Sequence, residues 1–199
     1  SGMMLPVLIL ADIMGVWYYH RHASWPNLIS LFPWAGLGVI LGTIAGGMMD
    51  EKLFRSVMAT IIMASVAIMI VLERKPSLVP TRKWFASVTG VAGGFTSMIG
   101  NLANAVMAVY FLSVRLPKNI FIGTTAWFFL CVNLFKLPFH LFAWNTIGLE
   151  TFRLAVWMLP VILAGAITGI AIVRRFSEKG YRWFILAMTL VSALGMLVL

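Results

Sequence analysis

Six runs of about twenty apolar residues follow one another along this chain, each long enough to cross the hydrocarbon of a bilayer as a helix. They cover residues 3–19, 28–49, 53–72, 120–142, 154–173 and 183–199. A backbone in lipid has no water to bond, so such runs form helices or a closed barrel, and these are about twice as long as barrel strands. Of the 199 residues, 61% are hydrophobic and 11% charged, which leaves too little polar surface to cover a soluble core. The expected fold is an all-α polytopic membrane protein.

The formal net charge is +9, but Lys and Arg sit almost entirely in short loops between the runs. That placement is a membrane-orientation signal rather than a nucleic-acid footprint, and no nucleic-acid partner is expected. Cys131, the only cysteine, excludes an intrachain disulfide. The chain opens at Ser1 inside an apolar run, so a further segment upstream is expected.

The sequence repeats itself. An offset of 127 residues aligns Pro33 with Pro160, Gly38 with Gly165 and Gly42 with Gly169, and continues without a gap through Glu51/Glu178, Lys52/Lys179, Arg55/Arg182 and Ser65/Ser192. Further upstream, an offset of 121 pairs Gly2 with Gly123 and Asp12 with Asn133. The expected organisation is a first repeat over 1–72, a basic cytoplasmic loop over 73–83 and a second repeat over 84–199. Segment 84–113 then has no twin, and a twin of about 35–40 residues is expected ahead of Ser1.

Loop charges orient the copies. If segment 84–113 crosses the membrane once, the two sides collect six and eight basic residues, with no bias. If it enters and leaves on one face, Arg21, Arg74, Lys75, Arg82, Lys83, Arg115, Lys118, Arg174, Arg175, Lys179 and Arg182 share a side, against Lys52, Arg55 and Arg153. Eleven against three fits the positive-inside rule. About thirty residues are too few for two crossings, so the segment is expected to be re-entrant or a pair of half-helices. The copies then form an inverted-topology repeat with a re-entrant or broken-helix segment, an architecture common among secondary transporters.

The broken segment carries Gly90, Gly93, Gly94 and Gly100 beside Thr96, Ser97, Asn101 and Asn104. Half-helices near the midplane aim their N-termini, with free N–H groups and the positive dipole end, at anions. The plainer alternative is close helix packing through small residues. Run 120–142 adds Thr124, Thr125, Asn133, Lys136 and Pro138; Asn133 and Lys136 are three apart and share a helix face. A charge at mid-membrane costs roughly 2.5–3.5 kcal/mol on the insertion scale and needs a partner, a wet cavity or a function. Lys136 is expected to contact an anionic substrate, with snorkelling to the interface as the alternative. Asp12, the one acid deep in a run, is a proton-coupling candidate, with a structural pair to Lys136 or a loop arginine as the alternative. His20, His22 and His140 lie at run ends and are expected to be interfacial. Trp17, Trp25, Trp84, Trp144 and Trp183 fit an aromatic belt.

The motifs Gly94-Phe-Thr-Ser-Met-Ile-Gly-Asn101, Arg115-Leu-Pro-Lys-Asn119, Phe121-Ile-Gly-Thr-Thr-Ala-Trp-Phe-Phe129 and Asn133-Leu-Phe-Lys-Leu-Pro138 resemble the sulfite exporter TauE/SafE family of membrane permeases. The opening Gly2-Met-Met-Leu-Pro and Glu178-Lys-Gly-Tyr-Arg182 fit as well. The resemblance implies two repeated halves and transport of sulfite, sulfonates or other organosulfur anions. It carries over Thr96, Ser97, Asn101, Asn133 and Lys136 as candidates and no catalytic residue. Where many relatives have Gly-Pro, this chain has Asn104-Ala105.

Together these readings predict an anion permease or exporter working by alternating access in the bacterial inner membrane. Its substrate site is expected among Thr96, Ser97, Asn101, Asn104, Thr124, Asn133 and Lys136, with Asp12 in proton coupling. No cofactor or metal is expected, and a homo-oligomer is left open. The alternative is a membrane scaffold or sensor that transports nothing. An intramembrane enzyme is disfavoured because neither a nucleophile–base pair nor a metal-ligand motif stands in the sequence.

Overall fold

The computed structural model describes residues 2–74 and 83–198, and the expected basic loop falls mostly outside them. The described chain is helical. A 3-10 turn, Gly2–Met4, leads into α1 (Leu5–Tyr19); α2 (Trp25–Gly46) and α3 (Glu51–Arg74) follow. Then come α4 (Lys83–Gly100), α5 (Ala103–Ser113) and α6 (Lys118–Pro138), the last continued by a π-helical turn, Phe139–Ala143. The chain closes with α7 (Leu149–Trp157), α8 (Leu159–Arg175) and α9 (Glu178–Val198). Prolines set several starts: α1, α2 and α8 each carry one in the first two positions, where the missing N–H has no intrahelical partner to lose.

Among the described residues, Gly2–Tyr19, Trp25–Gly46 and Lys118–Ala143 are long and apolar enough to span a membrane, and α7 with α8, bent by 49°, is apolar enough as a pair to form a broken span or a re-entrant loop. Shorter apolar helical stretches are Arg55–Ile68 and Ala103–Ser113. Apolar side chains such as Trp17, Ile29, Ile44 and Ile167 face outward, as lipid-facing residues do. This is an all-α polytopic membrane protein.

Segment 84–113 is a helical hairpin. Gly93 lies against Met107, and the Phe85 and Tyr110 rings are 5.8 Å apart, so α5 returns antiparallel along α4. Beside it, α2 runs parallel to α4, meeting it at Gly38 with Val91 and Phe95, and at Gly42 with Met98. A Cβ at Gly38 would collide with the Val91 carbonyl oxygen, and one at Gly94 with that of Ala35. Glycines here let two backbones touch.

The two elements matched by the offset of 121 pack on each other. Tyr19 meets Gly123, Gly15 meets Ala126, and Gly2 meets His140. The numbers fall on one side as they rise on the other, so α1 and α6 are antiparallel. The contacts are also reciprocal: Gly2 and Gly123 are mates under the offset, and so are their neighbours His140 and Tyr19.

Polar contacts gather the loops at two ends. At one, Ser24 N–H donates to Thr124 Oγ1 (2.9 Å), Lys118 N–H to Glu178 Oε2 (2.7 Å), and Lys118 Nζ to the carbonyls of Val173 (3.2 Å) and Phe176 (2.6 Å) at the end of α8. Arg21, Arg115, Arg174, Arg175, Lys179 and Arg182 belong to this end. At the other, Trp144 Nε1 donates to Thr43 O (3.2 Å) and Gly2 lies against Thr146. Trp17, Trp25, Trp84 and Trp183 are exposed near helix ends, whereas Trp144 is partly buried and clamps the last turn of α2.

The packed interior lies between α2, α4, α5 and α6, around the fully buried Phe111, Phe128, Met98 and Met107. By contrast α8 has no buried residue, and Gly165 and Gly169 have nothing within 4 Å. Their mates Gly38 and Gly42 are buried against α4.

Candidate functional site

The break in segment 84–113 falls at Asn101. Its φ of 56° is left-handed, a conformation that asparagine tolerates and that stops α4 at Gly100. Asn101 N–H returns to Ser97 O and Leu102 N–H to Thr96 O, each at 3.1 Å. These bonds close the C-terminus of α4 and turn the chain into α5.

Lys136 is the pin that holds this turn. Its side chain is completely buried, and Nζ donates to Ser97 O (3.0 Å), Ser97 Oγ (3.0 Å) and Asn101 Oδ1 (2.7 Å). An ammonium has three protons and here has three acceptors. One of them is a carbonyl of the last helical turn, so the cation sits at the negative end of the α4 dipole. The mid-membrane charge therefore has its partner within the protein rather than at the interface.

Asp12 reaches the same helix from α1. Asn133 Nδ2 donates to Asp12 Oδ2 at 2.6 Å, one turn before Lys136. The carboxylate and the ammonium also lie within electrostatic reach of each other.

A cavity of about 330 Å³ opens between α3, α5, α6 and α9. Asn101, Leu102, Asn104 and Ala105 bring the first turn of α5 to its wall, while Phe121, Thr125 and Phe129 form one stripe of α6 along it. No side chain caps the N-terminus of α5, and among the described residues no Lys, Arg, Asp or Glu lines the cavity. What it offers a ligand is helix N–H groups, amides, hydroxyls and an apolar wall.

The expected site residues fall into four groups. Asn101 and Asn104 line the cavity; Ser97 and Lys136 join Asn101 at the hairpin tip; Asn133 is held by Asp12. Thr96 and Thr124 are fully buried, and their hydroxyls bond to the carbonyls of Ala92 (2.8 Å) and Ile120 (2.6 Å). Neither lines the cavity, whereas Thr125, one position on from Thr124, does.

His140 departs from its expected interfacial place. It is fully buried, with Nδ1 at 2.8 Å from Thr146 Oγ1 and its ring edge-on to Trp144 at 5.1 Å. Its Nε2 has no partner among the described residues. Pro138 cannot donate to the carbonyl one turn back, and the π turn that follows swings His140 inward beneath Gly2. Among the described residues no three His, Cys, Asp or Glu side chains come together to hold a metal.

Comparison with curated proteins and with solved structures gave no match. A family model described as "Sulfite exporter TauE/SafE" matches residues 1–196. Its coverage of nearly the whole chain agrees with the helical architecture and with the motifs around Asn101 and Lys136. The protein therefore belongs to the sulfite exporter TauE/SafE family and is an integral membrane permease for small sulfur-containing anions.

Proposed function

We propose that the protein moves sulfite, a sulfonate or a related organosulfur anion across the bacterial inner membrane by alternating access, with the cavity at the start of α5 as its binding site. The observation that carries this reading is the uncapped N-terminus of α5 opening on that cavity. Such a terminus carries roughly half a positive elementary charge and several free N–H donors. Asn101 and Asn104 add amide groups beside it. With no formal charge among the described residues of the wall, an anion is held by dipoles strongly enough to enter and weakly enough to leave.

Lys136 acts in this scheme by position. It fixes the hairpin tip, and with it the direction in which α5 points, while Ser97 supplies the anchor. Asp12 is assigned to proton coupling: a carboxyl held by one neutral amide, close to a buried ammonium, can exchange a proton without losing its place. The repeats over 1–72 and 84–199 rock about an axis near Asp12 and Asn133. The antiparallel, reciprocal contacts of α1 and α6 support that axis, and the basic end is the cytoplasmic one by the positive-inside rule.

The test is flux. Purified protein in liposomes is expected to accelerate movement of sulfite, sulfoacetate or thiosulfate over protein-free vesicles. Rates equal to those of protein-free vesicles for all three would reject the reading.

A further inference from the structure

The cavity between α3, α5, α6 and α9 is a slot with two unlike ends. Its walls are helical stripes: Asn104, Ala108 and Phe111 stand at i, i+4 and i+7 on α5, and Tyr181, Ile185 and Met188 repeat that spacing on α9. On α6 the stripe runs from Phe121 to Phe129, a rise of about 12 Å. Ring contacts fix the directions. Phe121 meets both Phe111 and Tyr181 at 5.6 Å, whereas Asn101 lies beside Lys136 at 2.7 Å, farther along α6. One end of the slot is therefore Asn101, Asn104 and the first N–H groups of α5; Phe121 and Tyr181 close the other. Ala108, Ile185 and Met188 lie between them.

The slot holds about 330 Å³. At about 30 Å³ for each water, that is room for roughly ten non-hydrogen atoms. Sulfite, a sulfur with its oxygens, fills less than half of it and leaves water against an apolar wall, which is unfavourable. We propose that the preferred substrate is an organosulfonate with an apolar tail of about six carbons, its sulfonate at the start of α5 and its tail along Ala108 and Ile185 toward Phe121. The inference rests on the cavity being the substrate site. A sulfonate carries a single charge, which suits a helix terminus worth about half a charge in a wall whose described residues carry none. Burying the tail adds affinity without adding charge.

The test is competition in liposomes, against flux of whichever of sulfite, sulfoacetate and thiosulfate the wild type moves best. Methane-, ethane-, butane- and hexanesulfonate are compared with benzenesulfonate, hexanol and hexylammonium. The half-inhibitory concentration is expected to fall about three- to fourfold for each added methylene, with benzenesulfonate close to hexanesulfonate. Hexanol and hexylammonium compete at least about tenfold more weakly than hexanesulfonate. Hexanesulfonate itself leaves loaded vesicles faster than it leaves protein-free ones. Ala108→Leu, which fills the middle of the slot, erases most of the gain from chain length; the wild-type series decides alone if that variant does not fold. A flat response to chain length while a small sulfur anion still moves would overturn this inference and leave the substrate site standing. Equal competition by hexanol or hexylammonium overturns it as well, as the mark of an apolar crevice without an anion end. So does hexanesulfonate release no faster than from protein-free vesicles, or a chain-length gain that survives in a stably folded Ala108→Leu protein. No flux of sulfite, sulfoacetate or thiosulfate rejects the site itself, and this inference with it.

Discussion

Asp12 and Asn133 occupy equivalent positions in the two halves of the chain, and they are hydrogen-bonded to each other at 2.6 Å. When two mates of a repeat touch, the axis relating the copies passes between them. Here that axis crosses the α1–α6 seam within one helical turn of Lys136. The acid–amide difference between these mates thus lies where the proposed rocking motion has its pivot, so that in the proposed scheme a change of charge there acts on both halves at once.

Replacing Asp12 with asparagine keeps the shape and an acceptor for Asn133 while removing the ionisable group. Asp12→Asn is expected to fold and to transport the anion down its own gradient, with a stability change within about 1 kcal/mol. It loses the acceleration that an imposed proton gradient gives the wild type. Flux measured with and without the gradient checks this; a retained response would remove Asp12 from coupling.

Lys136→Met takes three donors from Ser97 and Asn101. Leaving buried acceptors of a charged donor unsatisfied costs about 2–3 kcal/mol. The expected result is a lower unfolding temperature, faster proteolysis near Asn101 and flux reduced at least tenfold. Because the ammonium does not line the cavity, the residual flux keeps a near-normal half-saturating concentration. A large rise in that concentration with stability intact would mean that Lys136 touches substrate directly.

The glycine pairs of the repeat give a matched comparison. Gly38→Ala drives a methyl into the Val91 carbonyl and is expected to cost about 1–3 kcal/mol through backbone displacement. Gly165→Ala, at the mate position, meets nothing within 4 Å and is expected to be neutral or slightly stabilising, since alanine favours the helix by about 1 kcal/mol. Thermal unfolding of the two variants side by side decides it. Equal destabilisation would contradict the asymmetry between α2 and α8.

The sequence shows the membrane class, the hairpin and the antiparallel copies because each is written locally. Apolar run length gives the spans, glycines and amides in 84–113 give the break, and loop charges give the direction. It also shows that Lys136 needs a partner. Which partner depends on how the hairpin registers against α6, a relation between residues 35 to 39 apart that no local pattern encodes. The same limit explains the threonines: Thr124 and Thr125 point about 100° apart around the helix, and only packing tells which one faces the cavity. His140 escapes the sequence pattern for a different reason, since a π turn after Pro138 changes the helical phase. A signal was present nonetheless. The offset that pairs Gly2 with Gly123 also pairs Tyr19 with His140, and a small residue at each mate position marks a close crossing.

Asn104 offers the most direct test of the anion site, because it lies in the first turn of α5 and lines the cavity. A carboxylate there places a negative charge at the position assigned to the substrate, yet acids in a first turn favour the helix by about 0.3–1 kcal/mol. The measurement is sulfur-oxyanion uptake by Asn104→Asp in liposomes, paired with its unfolding temperature. The account predicts uptake near that of empty vesicles and an unfolding temperature at or above wild type. Full uptake by a correctly folded Asn104→Asp protein would contradict it.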